Sequence, residues 1–258
     1  MPYPKIVNLS LPKTGSTTIY EAFKGSGAVH EGFHDLTVDK IIDYYEKTVS
    51  YEQLRAFLIR RQKLLKTSLD SSTFMHLIPR ELTQLYPAST IYVCVIRHPC
   101  DWARSYLSML YEIGRDLLES QKQQDLQWTT RYAGFQAKSL DPICLYKHAD
   151  NTDMLLSVIQ ELCSYWHQSL TRVHGCIDPG KLLSSSIENL PGLIQAIAPI
   201  IGAEPSSLPH SNRNRAPLAI QDSIQHACSL AVDNCDSVSR VIDHYNQLLK
   251  HGLHGGYQ

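Results

Sequence analysis

The stretch VNLSLPKTGSTT, residues 7–18, joins the first apolar run of the chain to the first amphipathic one. The apolar residues before it predict a short strand over residues 5–11, and the apolar spacing after it predicts a helix over residues 16–24. The stretch is therefore the turn between a strand and a helix. Such a turn directs the N–H groups of the first helical turn at whatever lies above it, and the helix dipole favours negative charge there.

The side chains in this turn suit a bound phosphate group. Gly15 lets the backbone approach an anion closely, and Lys13 supplies a full positive charge. Ser16, Thr17 and Thr18 add hydroxyl donors. The alternative is that Ser16 or Thr17 only caps the helix, an interaction worth about 1 kcal/mol.

The turn is not the P-loop of nucleoside triphosphatases. That motif, GxxxxGK[ST], has its lysine after the last glycine, and the hydroxyl that follows binds magnesium. Here Lys13 precedes Gly15. The order of these residues argues against a magnesium nucleotide.

Composition and charge limit the class of protein. The chain has 258 residues, of which 43% are hydrophobic, and its formal net charge is −1. Near-neutral charge argues against a general nucleic-acid or membrane-surface binder. No linker rich in Gly, Ser or Pro divides the chain, so we predict one domain over residues 1–258.

The cysteines and the apolar runs predict a cytoplasmic protein. Seven cysteines, none in a CxxC pair, favour reduced thiols over a disulfide framework. The first residues lack the pattern of a signal peptide. No apolar run approaches the roughly 20 residues that span a bilayer.

Strand-like runs alternate with helix-like ones, which predicts an α/β fold with a mainly parallel sheet flanked by helices. The clearest strand is IYVCVI, residues 91–96, because an uninterrupted apolar run is typical of a strand buried on both faces. Further strands are predicted near residues 28–33, 64–67 and 181–187, a solvated connection over 121–128, and a loop over 203–217.

A second motif follows the strand at residues 91–96. The strand leads into Arg97, then a His-Pro turn and a helix that carries Ser105. The ends of central strands are where open α/β sheets bind ligands, and an arginine there can hold a phosphate with two hydrogen bonds. The alternative is an ion pair between Arg97 and a neighbouring carboxylate.

Together the two motifs resemble the sulfotransferases that use 3′-phosphoadenosine-5′-phosphosulfate (PAPS). Members of that family carry PKxGTT near the start, here Pro12–Thr17, and later R-x-P-x-D-x-x-x-S, here Arg97–Asp101 with Ser105. The resemblance implies a single α/β domain of the P-loop-like sulfotransferase fold. It also implies that the turn binds the sulfuryl donor.

The resemblance assigns donor-binding roles to the matching residues. Lys13, Ser16 and Thr17 would hold the 5′-phosphosulfate, together with the backbone of the turn, which includes Thr14, Gly15 and Thr18. Arg97 and Ser105 would hold the 3′-phosphate. A late basic loop closes over that phosphate in many members, so Arg213 or Arg215 is expected to do so here.

A third match is less complete. Cytosolic members have a Lys-Thr-His segment after a strand, and here Lys66 and Thr67 match while Ser68 replaces the histidine. Thr18 stands where those members often have a tryptophan on the adenine. Both differences favour the carbohydrate-modifying branch and leave the catalytic base unassigned.

Transfer of a sulfuryl group needs charge stabilisation on the leaving phosphate and a base for the acceptor's proton. Lys13 would stabilise the leaving group, with Lys66 assisting. The candidates for the base are His34 and Glu31, then His30, with Asp70 behind them. If residues 29–34 continue as a strand, alternation puts the two histidines on one face and the glutamate on the other.

The sequence therefore predicts transfer of a sulfuryl group from PAPS to a hydroxyl, or secondarily an amine, of a small molecule or carbohydrate. No metal cluster, nucleic-acid partner or membrane partner is predicted. Two alternatives stay open: a nucleotide kinase, and a nucleotide-binding interaction module without activity, which Ser68 in place of histidine would permit.

Overall fold

A computed structural model describes residues 3–120, 123–206 and 218–252. In this part of the chain five strands form one sheet in the order β2-β3-β1-β4-β5, and every pair is parallel. The strands are β1 Ile6–Asn8, β2 Ala28–His30, β3 Leu69–Ser71, β4 Ile91–Ile96 and β5 Leu182–Ser186. The predicted α/β fold with a parallel sheet is confirmed.

Helices connect and flank the strands. They are α1 Ser16–Phe23, α2 His34–Tyr45, α3 Tyr51–Leu65, α4 Pro79–Leu85, α5 Pro99–Ser120, α6 Gln123–Gln136, α7 Pro142–Lys147, α8 Thr152–Cys176, α9 Leu190–Ile201, α10 Leu218–Asn234 and α11 Asp236–Gly252. Across the described ranges, none of these helices has both the length and the apolar content needed to cross a membrane.

The chain divides into two compact units. One consists of the described residues within Met1–Arg97, Ser169–Ser211 and Leu248–Gln258, and it contains the whole sheet. The other consists of those within His98–Gln168 and Asn212–Gln247, and it is helical. A single domain over residues 1–258 stays a prediction.

The core of the sheet unit forms where β4 meets two helices. Val93 and Val95 of β4 are buried in one cluster with Ile19 of α1 and Ile194 of α9. Because β4 is apolar at every position, it can be buried on both faces, as a central parallel strand must be. The prediction of a strand over residues 91–96 is confirmed at both ends.

The helical unit has an aromatic core. Trp102, on α5, is fully buried and stacks on Tyr106 with ring centroids 5.5 Å apart and on Tyr165 at 6.3 Å. The spacing of Trp102 and Tyr106 is one helical turn, so both side chains lie on the same face of α5.

The strand order determines where a ligand can bind. From β1 the chain crosses to β2 on one side of the sheet, whereas from β4 it continues to β5 on the other side. Such a reversal opens a crevice at the carboxyl ends of the two central strands. The turn after β1 and the turn after β4 therefore lie side by side, and they hold the two sequence motifs.

Several predicted boundaries were wrong. Residues 64–67 are not a strand, because α3 continues to Leu65 and ends at Lys66, whose backbone is left-handed at φ 50°. The capping box of Ser50 and Gln53 begins this helix, and good helix-forming residues carry it on. The strand starts at Leu69, after the end of the predicted segment 64–67.

Two further differences concern helices. Residues 123–128 were predicted to be a solvated connection but begin α6, because glutamine favours helix despite its polarity. Helix α7 was not predicted, although Asp141 caps it by accepting from the Cys144 N–H at 2.8 Å and Pro142 fits its first turn. Residues 203–206 of the predicted loop have no regular structure, and 207–217 lie outside the described residues.

A buried ion pair fastens α3 to the sheet. Arg61 is 2% exposed and donates to both carboxylate oxygens of Asp70, a fully buried residue of β3. The same guanidinium donates to the Thr37 hydroxyl at 3.0 Å and to the Gly32 carbonyl at 3.2 Å. It thereby ties the turn after β2 to the end of β3.

Removing one partner of this ion pair leaves a buried charge without its counterion. We expect Asp70→Asn to lower the free energy of unfolding by about 3–5 kcal/mol, measured by urea denaturation. The control is Lys24→Gln, which breaks the exposed pair of Lys24 with Glu21 (2.6 Å) and is expected to cost less than about 1 kcal/mol. Equal losses in the two variants would contradict the structural role given to Asp70.

Candidate functional site

The turn after β1 is anchored to β4 by side-chain hydrogen bonds. The Ser10 hydroxyl accepts from the Val95 N–H at 2.7 Å and donates to the Asn8 side-chain oxygen. The other end of the Asn8 amide donates to the Ser71 hydroxyl of β3 at 3.0 Å. The start of the turn is thus held between both neighbouring strands.

The tip of the turn needs left-handed backbone at two positions. Lys13 has φ 63° and Gly15 has φ 97°. A Cβ on Gly15 would lie 2.8 Å from Cδ2 of Leu190, so a larger residue is excluded by contact as well as by dihedral angle. Between them Thr14 is fully buried and donates from its hydroxyl to the Leu11 carbonyl at 2.6 Å, so its side chain shapes the turn.

Helix α1 begins without a side-chain cap. Its N-cap residue is Gly15, and the first intrahelical bond runs from the Ile19 N–H to the Gly15 carbonyl at 3.1 Å. The first turn of α1 contains no acidic residue. The alternative that Ser16 or Thr17 caps the helix is therefore wrong, and the N–H groups of the first turn face outward as donors.

Two cations lie beside this helix end. Arg97 follows β4 and donates from Nη1 to the Lys13 carbonyl at 3.2 Å. Burial, and then the charge of Arg97, lower the pKa of Lys13 below its ordinary value. An anion placed between the two cations would relieve both effects, because it replaces lost solvation and offsets the repulsion.

The turn after β2 carries the predicted base candidates. The strand ends at His30, and Glu31 and Phe33 adopt left-handed backbone at φ 54° and 53° before α2 starts at His34. Alternation therefore does not reach His34, and the prediction that the glutamate and the histidines lie on opposite faces was wrong. Instead, His34 Nδ1 lies 2.5 Å from a carboxylate oxygen of Glu31.

Glu31 is held by several donors at once. Besides His34, the Thr73 N–H donates to it at 3.1 Å, and the Thr73 hydroxyl donates to its other oxygen. Burial alone would raise the pKa of Glu31, but the hydrogen bonds from His34 and Thr73 outweigh it and leave that pKa below its ordinary value. Glu31 is therefore a stable carboxylate and a weak base.

The pKa values of the two histidines of this turn are shifted in opposite directions. Burial lowers the pKa of His34, but the hydrogen bond and charge of Glu31 outweigh it, so the pKa lies above the ordinary 6.5. Burial, more than any other cause, lowers the pKa of His30 below 6.5. At neutral pH His30 is thus the uncharged histidine.

His30 also contacts the turn after β1. Its Nε2 is 3.3 Å from the hydroxyl of Ser16, and Ser16 is the first residue of α1. A small pocket joins the ends of the three strands here, lined by Asn8, Ser10, Leu11, Pro12, Ser16, Glu31, Ser71, Ser72 and Thr73. The sequence motifs did not include Ser71, Ser72 and Thr73, and locating β3 correctly would have placed them at this edge.

Some predicted site residues lie elsewhere. Lys66 is exposed and precedes β3. Two residues later, the Ser68 carbonyl accepts from the N–H of Lys5, which directly precedes β1, at 2.9 Å. Lys66 is therefore at the amino edge of the sheet, opposite the turn after β1, and this position gives no support to its predicted role beside the sulfuryl group. Asp70 is occupied by Arg61, which removes it as a base.

The remaining predicted residues are not tested by this geometry. Ser105 lies on α5 in the helical unit, whereas Arg97 ends the sheet unit. Arg213 and Arg215 lie outside the described residues. In the part of the chain that the structure describes, no group of three or more His, Cys, Asp or Glu side chains is arranged to hold a metal ion.

The fold is an α/β protein with a five-stranded parallel sheet, and an uncapped helix end flanked by two cations lies at its switch point, where open sheets of this class bind their ligands. The sequence profile described as "Sulfotransferase domain" matches residues 5–216. The chain therefore belongs to the sulfotransferase domain family, and sulfuryl transfer is its class of reaction. A comparison with curated proteins gave no match.

The ion pair of Glu31 and His34 predicts a pH-dependent stability. A raised histidine pKa stabilises the fold below the ordinary 6.5 and loses this effect as the pH rises through the folded value. A lowered carboxyl pKa stabilises it above the ordinary 4.5 and loses the effect as the pH falls through the folded value. Both contributions to stability are therefore fully present together between the two ordinary pKa values, 4.5 for the carboxyl group and 6.5 for the histidine.

We expect Glu31→Gln to destabilise the protein most in that window, by about 1–2 kcal/mol in urea denaturation, and less at pH 9. NMR titration of the variant should also show a lower pKa for His34. Glu46→Gln is the control, since Glu46 is an exposed glutamate just after α2. A loss of stability that is the same at every pH would contradict the assignment.

Proposed function

We propose that this protein transfers a sulfuryl group from PAPS to a hydroxyl group, or secondarily an amine, of a small molecule or carbohydrate. The observation that carries the proposal is the uncapped amino end of α1, with Lys13 and Arg97 beside it. The family supplies the class of reaction, and this geometry supports a doubly anionic donor.

The residues of the turn fit the phosphosulfate part of the donor. Its oxygens would accept from the N–H groups of Gly15 to Thr18, from the hydroxyls of Ser16 and Thr17, and from Lys13. A Cβ at position 15 would meet Leu190, so the close approach of the backbone at this point depends on glycine. Hydrogen-bond donors and cations, with no carboxylate in the first turn of α1, match an anionic ligand.

The motif after β4 is proposed to bind the 3′-phosphate of the donor. Arg97 carries this proposal, because it lies at the end of a central strand and its guanidinium can bind phosphate oxygens in pairs. The roles of Ser105, Arg213 and Arg215 rest on the sequence resemblance alone.

Charge stabilisation in the transfer step falls to Lys13. The acceptor oxygen forms a bond to sulfur while the bond from sulfur to the phosphate oxygen breaks, and the electron pair stays on the phosphate. A lysine held at this turn is placed to stabilise that charge as it develops. The Ser16 hydroxyl and the backbone donors hold the sulfuryl group in line between the acceptor oxygen and the leaving phosphate oxygen.

We assign the base to His30. It is close to the turn, with Nε2 3.3 Å from the Ser16 hydroxyl, and it is uncharged at neutral pH because burial lowers its pKa. When His30 takes the acceptor's proton, the Glu31 carboxylate, 3.8 Å away, stabilises the imidazolium. Glu31 and His34 are then positioning residues, which differs from the ranking that the sequence alone suggested.

The two alternatives make different demands on the site. A nucleotide kinase would bind ATP with magnesium in preference to adenosine 3′,5′-bisphosphate. An inactive interaction module would bind the bisphosphate but transfer no sulfuryl group from labelled PAPS to any acceptor. Phe33 and Leu36, which flank His34 and are 44% and 63% exposed, give a reason to screen apolar alcohols together with sugars.

Donor binding is tested by titration calorimetry with adenosine 3′,5′-bisphosphate, without added metal. We expect micromolar affinity for the wild type and a loss of tenfold or more, about 1.4 kcal/mol, in Lys13→Ala and in Arg97→Ala. Lys66→Ala is the matched control, because it removes an exposed lysine at the opposite edge of the sheet. A folded wild type that binds ATP with magnesium but not the bisphosphate would overturn the proposal.

The role of His30 is tested by kinetics with labelled PAPS and an acceptor found in the screen. We expect His30→Gln to lower kcat by about 10²–10⁴-fold while bisphosphate affinity stays within threefold. It should also remove the rise of kcat/KM with pH that reports the base. His34→Gln, the matched histidine of the same turn, should lose about tenfold or less. A larger loss in His34→Gln than in His30→Gln would assign the base to His34.

A further inference from the structure

Three thiols meet in the helical unit, and neither the family nor the proposed reaction uses them. They are Cys100 in the first turn of α5, Cys163 in the middle of α8 and Cys228 in the middle of α10. We call these residues the thiol cluster. They come from three separate helices, so no local sequence motif brings them together.

Cys100 is the centre of the cluster. Its side chain makes hydrogen bonds with the thiols of both Cys163 and Cys228. In addition, Cys228 Sγ lies 3.9 Å from the Cys100 carbonyl oxygen. Each of the two outer thiols therefore has Cys100 as its neighbour, and a disulfide needs two cysteines that are neighbours in the fold.

The three thiols differ in access and in acidity. Cys100 is partly exposed, whereas Cys163 and Cys228 are 1% and 2% exposed. The hydrogen bonds from Cys163 and Cys228 lower the pKa of Cys100, and its place in the first turn of a 22-residue helix acts in the same direction. The hydrogen bond with Cys100 and burial raise the pKa of each outer thiol. The reachable thiol is thus the reactive one.

We propose that the thiol cluster is a site of reversible oxidation, at which hydrogen peroxide converts Cys100 and one of its two neighbours into a disulfide. The Cys100 thiolate attacks one peroxide oxygen, the O–O bond breaks and hydroxide leaves as water, which gives a sulfenic acid. The neighbouring thiol then attacks that sulfur, the S–S bond forms and a second water leaves. Two thiols lose two electrons and two protons, and one peroxide becomes two waters.

Two of the four other cysteines, Cys94 and Cys144, show how the cluster differs from an isolated thiol. Cys94 is fully buried in β4, and burial raises the pKa of its thiol to about 12. Cys144 is exposed, and its sulfur contacts Met154 Sδ at 3.9 Å, a thioether that cannot form a disulfide. The first is inaccessible to peroxide, and the second has no thiol in that contact, so neither is expected to form an intramolecular disulfide.

The test uses the full-length reduced protein and hydrogen peroxide. After treatment, free thiols are blocked with an alkylating agent, and peptides are mapped by mass spectrometry with and without reductant. We expect the count of free thiols to fall by two from the seven of the chain, with a linked peptide that joins Cys100 to Cys163 or Cys228. Dithiothreitol should restore all seven.

Variants assign the reactive thiol. Cys100→Ser should slow the rate at which peroxide removes the first two free thiols by about tenfold or more. The double variant Cys163→Ser, Cys228→Ser should abolish formation of the disulfide. Cys144→Ser is the control and should leave the rate unchanged. Circular dichroism checks that each variant is folded, and the wild-type map identifies the paired cysteines even if Cys100→Ser fails to fold.

Three results would overturn the proposal: a wild-type map in which other cysteines are linked, irreversible sulfinic acid at Cys100 without a disulfide, and an undiminished rate in Cys100→Ser. Because the readout is the thiol count and the peptide map, it is independent of whether PAPS is the donor.

Discussion

The uncapped amino end of α1 is the constraint on which the site depends. A helix end leaves several backbone N–H groups without intrahelical partners, and most helices satisfy one of them with a side-chain cap. Here the N-cap is Gly15, which has no side chain, and its left-handed backbone brings the turn against Leu190. With no side-chain cap, the N–H groups of the first turn stay available as donors, and the proposed function uses them to bind an anion.

The geometry around this helix end is held by buried polar contacts. Asn8 bonds to β3 and, through Ser10, to β4, while Arg61 bonds to Asp70 and to the turn after β2. Breaking one member of such a network leaves an unpaired group in a low dielectric, which costs more than an exposed contact of the same kind. The left-handed residues of the turns, such as Lys13 and Glu31, are costly conformations that these contacts maintain.

The sequence predicted the parts of the site that are local in the chain. The strand at residues 91–96 and the turn at residues 7–18 follow from runs of apolar residues and from the chemistry of glycine and lysine, so both were placed correctly. Lys66 was misplaced because LLKT reads equally well as the end of a helix or the start of a strand. Only the tertiary contacts of α3 settle that choice, by extending the helix to Leu65.

The proposed base differs from those that the sequence ranked first, for a related reason. A histidine and a glutamate three residues apart give no indication of which is neutral, because protonation depends on partners that are distant in the chain. Thr73 and His34 both donate to Glu31, and these contacts make it a stable carboxylate. The thiol cluster is a still clearer case, since its members are separated by more than 60 residues. Helix packing alone brings them together.

The charges of the site link donor binding to proton transfer. Burial, and then the charge of Arg97, lower the pKa of Lys13, while burial and the nearby His34 contribute to lowering the pKa of His30. A bound anion at α1 favours the protonated form of every group near it, because opposite charge stabilises a cation. In the proposed reaction this raises the pKa of Lys13, whose charge would stabilise the leaving phosphate, and makes His30 a stronger base. In the proposed reaction, the same electrostatic change therefore acts on the group that stabilises the leaving phosphate and on the group that takes the proton.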